Sequence, residues 1–497
     1  MSLKKRLAAV GVIAAVAVIT FGIASGRQMM QTQEEEAAPV SYGGKETLYV
    51  WYTDEALTSY ISSAAVTYNE NHDIRVVPVL EPGIEYLEQI NQASLLEENI
   101  PDAYILSHDS LEKAYLAGLA HEIAPKEDIS LEESYMQTSL DAVAYKDKVI
   151  GYPFYFETGS LLYNRTYLEE LAKSQLQVEA LLQEEGTEEE AKAEQSIEEA
   201  VIDEEEIRKR VEELLPETLE EIKAFADSYD TPEQVEAVFK WDVTDIFYNY
   251  FFIGNAIQMG GEAGWDASRI DIYNEDAIES MRAYEELKQF FSIDASEVDY
   301  DTVIDEFAAG KLIFTVATTD VVARLEQAKE DGLFEYDYGI SLTPDIDENR
   351  KTRSLSMTQC VVINGYSEHQ KEANDFAYFL TCEYNDILYA RTGKVSAAKN
   401  VDYGYDALYR FAEEYEKSIS MPKMIESSNF WVQLEVAFSQ VWNGADANLM
   451  LKELSEQIMQ QVTGQPYTEE YIEEIREEEE VEYLDEDYYT QEAMEEE

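Results

Sequence analysis

From Thr47 to Ser110 the chain alternates between two periodicities. LYVWY, Ile74–Leu80 and the AYIL of PDAYILSHDS are short runs rich in β-branched and aromatic residues. Between them Ile61, Ala65 and Tyr68, and then the stretch Tyr86–Leu96, set apolar residues at helical spacing. Strands separated by helix-length connections pair in parallel, because the crossover returns the chain to the same end of the sheet. The expected class is therefore α/β.

A second stretch, KVIGYPFYFETGSLLYNRTY from Lys148 to Tyr167, holds the most unusual chemistry. Val149, Ile150 and Tyr152 favour a strand. Pro153 has no N–H for a sheet ladder, so the strand is expected to end there or continue as an edge. Phe154, Tyr155 and Phe156 follow, then one carboxylate, Glu157. Gly159 permits a tight backbone, and Leu161-Leu162-Tyr163 reads as another strand. A lone acid among aromatic rings at a strand junction is either an exposed side chain on a connection or an acceptor aimed at a ligand.

Charge narrows the ligand. Lys and Arg number 36 against 104 Asp and Glu, a formal net charge of -68. Such a field repels nucleic acid and anionic membrane surfaces. It also disfavours an acidic ligand, since no basic cluster stands beyond the N-terminus. The 4 His and 2 Cys include no Cys-x-x-Cys or His-x-x-x-His spacing, so no metal site and no cofactor are expected. No nucleophile elbow or phosphate loop occurs either, and no catalytic residue is assigned. Tyr is abundant at 35; its flat apolar ring with a hydroxyl suits sugar stacking, though most tyrosines are ordinary core and surface residues.

Residues 1–26 have the basic start and apolar run of an export signal. The run from Leu7 to Ala24 lies near the ~18-residue lower edge for a membrane span. It is read as an uncleaved anchor with Lys4, Lys5 and Arg6 on the cytoplasmic side. The alternative is a cleaved signal, with Gly22, Ala24 and Gly26 near the cut. Either way the body is extracytoplasmic. Residues 27–46 read as a polar linker.

Several motifs then occur in a telling order. They are Trp51 near the end of the first strand, Pro101-Asp102 with its strand, and the His108-Asp109 turn. Gly151-x-Pro153, the aromatics, Glu157 and LLYNRTYL follow, then Phe307-x-x-Gly310-Lys311-x-x-x-Thr315, LSMTQCVVING, and Met421-Pro422 ahead of Phe430-Trp431. Together they resemble the extracellular solute-binding proteins of the maltose-binding type, which capture sugars for ABC importers. The resemblance spans about residues 47–465. It implies a two-lobe, type II periplasmic-binding-protein-like fold with three crossings between lobes. Lobe 1 would hold 47–155 with 360–403, and lobe 2 would hold 156–359 with 404–465. It further implies a monomer that binds a sugar or oligosaccharide in the inter-lobe cleft and delivers it to membrane permease subunits.

Matching positions supply the implied site. Asp54 or Glu55, in the acidic loop after the first strand, and Asp109 would accept sugar hydroxyls from lobe 1. Glu157 would lie on the cleft floor beside Tyr155. Asp245 and Tyr248 would face the sugar from lobe 2, with Trp241 and Phe247 as runners-up. Asp320 stands where the family carries a stacking Trp, exchanging apolar contact for hydroxyl recognition. Trp431 falls on a position that stacks on a sugar ring, and Trp51 is a further candidate plane. Leu106, Ser110 and Glu435 replace a Trp and two Arg of the maltose binder, so some sugar contacts are lost or exchanged.

Residues 168–215 interrupt the resemblance with a Glu-dense helical pattern, read as an αα-hairpin insertion turning near Gly186-Thr187. Residues 466–497, mostly Glu, Asp and Tyr, are expected to be a disordered acidic tail. Whether Cys360 and Cys382 pair stays open. Two other functions remain in contention: a surface adhesin or scaffold derived from a binding protein, and a glycoside-acting enzyme using paired carboxylates.

Overall fold

The computed structural model describes residues 45–96, 100–184, 202–425 and 429–473. The export segment, nearly all of the linker, the Gly186-Thr187 turn and tail residues 474–497 lie outside them. The chain divides into a small unit, Met1–Thr47 with His72–Arg75, and a large one, Leu48–Asn71 with Val76–Glu497. In the small unit Lys45 Nζ donates to the His72 carbonyl at 2.7 Å.

The strands are β1 (Glu46–Tyr52), β2 (Ile74–Leu80), β3 (Ala103–Ser107), β4 (Ala144–Tyr145), β5 (Lys148–Val149), β6 (Tyr152–Asn164) and β7 (Ala237–Phe239). Then come β8 (Gln258–Met259), β9 (Ile270–Asp271), β10 (Leu312–Thr318), β11 (Tyr338–Ser341), β12 (Leu355–Ile363), β13 (Val395–Ser396) and β14 (Ile419–Ser420). Two pairs, β4 with β5 and β8 with β9, form small ribbons. The others join in the order β2-β1-β3-β12-β6-β10-β7, with β11 and β13 on β6 and β14 on β12.

β6 holds this sheet together. Its first half, Tyr152–Thr158, pairs with β12, and with β13 at Tyr155 and Phe156. Its second half, Gly159–Asn164, pairs with β10 and β11. One strand therefore belongs to two sheet regions, as a lobe crossing requires. β12 likewise runs from β14 at Leu355 to β3 at Ile363.

Of the two outcomes expected at Pro153, the strand takes the second and continues, with β12 paired at Pro153 and β13 joining only at Tyr155. Residues Tyr152–Asn164 form one continuous strand of 13 residues. The proline is tolerated because the ladder slips beside it: Gln359 pairs with Tyr155 and Cys360 with Pro153, which leaves Phe154 as the extra residue on β6. A bulge is one of the few places where a sheet accepts a residue without an N–H.

Helices close both faces. Thr58–Asn71 and Tyr86–Leu96 follow β1 and β2 as anticipated. Thr218 and Glu221, three residues apart, form a capping box on the helix Leu219–Ser228. The aromatic run after Trp241 is a core: Trp241 stacks on Phe239 at 4.7 Å and donates Nε1–H to Asn249 at 2.8 Å.

The Glu-dense segment read as an insertion is rooted in the body. The helix Arg165–Glu184 leaves β6 directly and buries Tyr167, Leu168 and Ala172. Helix Glu204–Leu214 returns against it, with Arg210 forking onto Glu179 at 2.9 and 3.0 Å.

At the other end the disorder expected from residue 466 is corrected as far as Glu473. Ser455 Oγ donates to Glu469 at 2.6 Å, and the Ile472 backbone is held by Tyr273 and Asn448, each at 2.9 Å. Ile472 packs on the core, and that apolar anchor outweighs the local charge. Cys360 and Cys382 are both free thiols, Cys360 donating to the Leu106 carbonyl at 3.1 Å.

Candidate functional site

Along β6 every residue is buried except Glu157. Its surroundings follow from register. β12 sets Met357 opposite Glu157. β3 pairs Ser107 with Gln359, so the turn that follows, His108–Ser110, brings Asp109 out toward Met357. Two strand spacings put Asp109 and Glu157 on the order of 10 Å apart. On the other side β13 pairs Val395 with Phe156, which carries Lys394 to Glu157. β10 pairs Thr318 with Gly159 and ends there, and Asp320 opens the helix that follows.

Side chains close this arrangement. Lys394 Nζ lies 3.3 Å from Asp54 Oδ2 and 3.5 Å from Glu157 Oε1. It also stands 5.3 Å from the ring centroid of Tyr155, a cation–π contact. Three nominated residues, Asp54, Tyr155 and Glu157, are thus gathered by a cation that sequence reasoning missed. Burial opposes the charge on Lys394, but Glu157 and then Asp54 outweigh it and hold the ammonium above its ordinary range. Burial, then the same two carboxylates, push the Tyr155 phenol up, so it stays a neutral hydroxyl. Asp54 also accepts from the Ala56 N–H at 2.9 Å, which fixes its rotamer, while Glu55 is exposed.

A second group forms around another unanticipated residue, Tyr300. Its ring stacks on Tyr248 at 4.8 Å and 13°. Its hydroxyl donates to Asp320 Oδ1 at 3.0 Å and accepts from the Thr318 N–H at 3.2 Å. Burial raises the Tyr248 phenol, with Asp245 adding to it. Asp245 is exposed and serves as a helix cap, accepting from the Phe247 N–H at 2.8 Å. The runners-up divide: Trp241 is buried in the core, while Phe247 meets Tyr248 edge-on at 5.9 Å. Trp431 is half-buried, 5.5 Å from Tyr250 and 5.0 Å from Phe430, and makes no ring contact with Tyr248 or Tyr300 among the described residues. Trp51 is buried at 7% exposure, which leaves little ring for stacking.

Asp109 Oδ1 is buried with no hydrogen-bond partner, which leaves it free to accept. Its neighbour His108 is fully buried and structural. Nδ1 accepts from the Thr358 N–H at 3.0 Å and Nε2–H donates to the Met421 carbonyl at 2.9 Å, tying β3, β12 and the segment after β14 together. Burial, then the charge of Lys423, lowers His108 to about 4. The unfolded imidazole titrates near 6.5, so the unfolded chain gains a proton first on acidification. This contribution to stability is complete above 6.5 and is lost as pH falls through 4, up to about 3 kcal/mol. His108→Gln is expected to flatten that part of the pH profile in denaturant melts from pH 7 to 4; an unchanged acid limb would count against it.

A groove of about 1970 Å³ lies elsewhere, lined by β11, helix Glu204–Leu214 and helix Asp406–Lys417, and includes none of the nominated residues. Among the described residues no His, Cys, Asp and Glu group is arranged to hold a metal ion, and no helix is long and apolar enough to cross a membrane.

The arrangement is therefore a set of acids and aromatic planes supplied by both regions of a sheet that β6 joins. Residues 63–409 match the family model for bacterial extracellular solute-binding proteins. The chain belongs to that family. No curated protein sequence matches this solute-binding protein. Among solved structures it resembles the Staphylococcus aureus extracellular solute-binding protein in complex with maltose, at 19% identity and a TM-score of 0.66 over 85% of this chain and 99% of that one. The maltose-binding periplasmic protein of Listeria monocytogenes with maltose is similar at 18% identity, TM-score 0.65, over 86% and 100% of the two chains. A cyclo/maltodextrin-binding protein complexed with maltotetraose gives 18%, 0.65, 86% and 100%. These likenesses establish the two-lobe α/β fold, and the family and its structural neighbours are binding proteins.

Proposed function

We propose that this solute-binding protein captures a sugar or oligosaccharide between its lobes outside the cytoplasm and delivers it, as a monomer, to an ABC import permease. The observation that carries the reading is the meeting of Asp54, Tyr155 and Glu157 around Lys394 on the crossing strand. Sugars need acceptors for their hydroxyls and flat apolar faces for their C–H surfaces; Asp320 with the Tyr248–Tyr300 stack, and Trp431, are assigned to the ligand from the second lobe. Asp109, with its unpartnered oxygen, is the lobe-1 acceptor, and Glu55 and Asp245 stand at the rim. Ligand contacts drawn from two lobes are complete only when the lobes close, so binding shifts a hinge equilibrium. The N-terminal segment tethers the body to the membrane, or is removed as a signal. Differential scanning fluorimetry with maltose, maltotriose, maltotetraose and a wider glycan panel tests the reading. A saturable stabilisation by at least one saccharide is expected. No shift with any glycan would sink the transport reading and favour a surface scaffold; release of reducing ends during incubation would favour an enzyme.

A further inference from the structure

We infer that Lys394 sets the ligand class of this site, admitting uncharged polyols and excluding amines; the inference rests on the sugar-binding reading above. Lys394 is held in place from several directions. Gly393 ends the helix Leu388–Thr392 at φ 69, in the left-handed region, and Thr392 Oγ1 accepts from the Lys394 N–H at 3.1 Å. A Cβ built on Gly393 would lie 3.7 Å from Ala323, on the helix Val321–Glu330 that follows Asp320, so this corner is packed. From there the ammonium reaches between Asp54 and Glu157, over the Tyr155 ring.

The chemistry follows from what each group has left. The Lys394 side chain keeps 25% of its surface exposed, Asp54 33% and Glu157 43%. An ammonium has three protons; two face the paired carboxylates, and one remains for an acceptor. Asp54 is fixed through both oxygens, Oδ1 by the Ala56 N–H and Oδ2 by Lys394, and each keeps a lone pair that can accept. Glu157 meets Lys394 through Oε1, which leaves Oε2 to accept. The site thus presents a donor beside an acceptor at fixed spacing, which adjacent hydroxyls of a sugar satisfy together.

An amine would meet the opposite situation. A chain of net charge -68 concentrates organic cations around itself, and Asp54 and Glu157 would otherwise form an anionic trap. With Lys394 in place, the position between Asp54 and Glu157 already holds a positive charge. A ligand ammonium entering there would face like-charge repulsion at a few ångströms. Lys394 therefore makes acid-rich walls serve as hydrogen-bond acceptors rather than as counter-ions.

The test measures two ligands on purified body protein by isothermal titration calorimetry, the tightest saccharide of the glycan panel and spermidine. Lys394→Met is expected to lose at least tenfold in saccharide affinity and to gain at least tenfold for spermidine, while Lys394→Arg keeps spermidine out. Lys394→Gln serves if the Met variant does not fold. Equal spermidine binding by wild type and the neutral variants overturns the inference, as does saccharide affinity within twofold of wild type in both. A wild type that binds no saccharide overturns the sugar reading instead, and the spermidine arm still decides whether Lys394 excludes cations.

Discussion

Lys423→Met is expected to lower the stability of the folded protein by about 4 kcal/mol, the largest single effect foreseen here. Lys423 lies just past β14, where the chain passes between the two regions. Its ammonium donates to the carbonyls of Asp141 at 3.1 Å, Ala144 at 2.9 Å and Ala263. Its backbone N–H donates to Gly264 at 2.7 Å. One side chain therefore satisfies buried carbonyls from the helix Gln137–Val143, from the start of β4 and from the loop after β8. Methionine fills similar volume but donates nothing, and each orphaned buried acceptor costs about 1–3 kcal/mol. Burial lowers the ammonium to about 7 from an unfolded value of 10.5. Between those values the unfolded chain carries the extra proton, so the wild type gains on the variant as pH rises from 7 toward 10. Urea unfolding of both proteins at pH 7, 8 and 9 checks both statements. Midpoints that coincide at pH 7 would refute the structural role, and a constant gap across pH would refute the titration.

Glu157→Ala and Trp431→Ala should each weaken the tightest saccharide more than tenfold, about 1.4 kcal/mol or more. Glu157 is the unburied position of an otherwise buried strand, and its loss would also leave Lys394 with Asp54 alone. Trp431 is half-buried against Tyr250 and Phe430, so its truncation removes packing as well as a ligand face. Calorimetric Kd values read together with melting temperatures separate the two effects. A Trp431→Ala protein that melts early yet binds normally would make this Trp a packing residue. Near-normal affinity in both variants would remove the proposed site.

Local chemistry made much of this legible in advance. Strand and helix periods before Ser110, the Thr218–Glu221 box and the Gly310 helix stop depend on neighbours a few residues apart, and they appear where their residues dictate. The acids and rings at Asp54, Tyr155, Glu157, Tyr248 and Asp320 could be nominated because their types suit hydroxyl recognition. Pro153 left two outcomes open, an end or an edge, because whether a strand carries a proline depends on its partner, here Cys360 of β12, more than 200 residues away.

What the sequence by itself determined, then, is an acidic α/β chain built from strand–helix units, with a carboxylate set among aromatics on its central strand. What only the tertiary structure decided is which groups meet there. Lys394 stands 237 positions from Glu157, and Tyr300 is one of 35 tyrosines; neither carries a local mark. Their roles arise from strand register, which is set by the summed packing of whole sheet faces and has no signature in any short stretch of the chain.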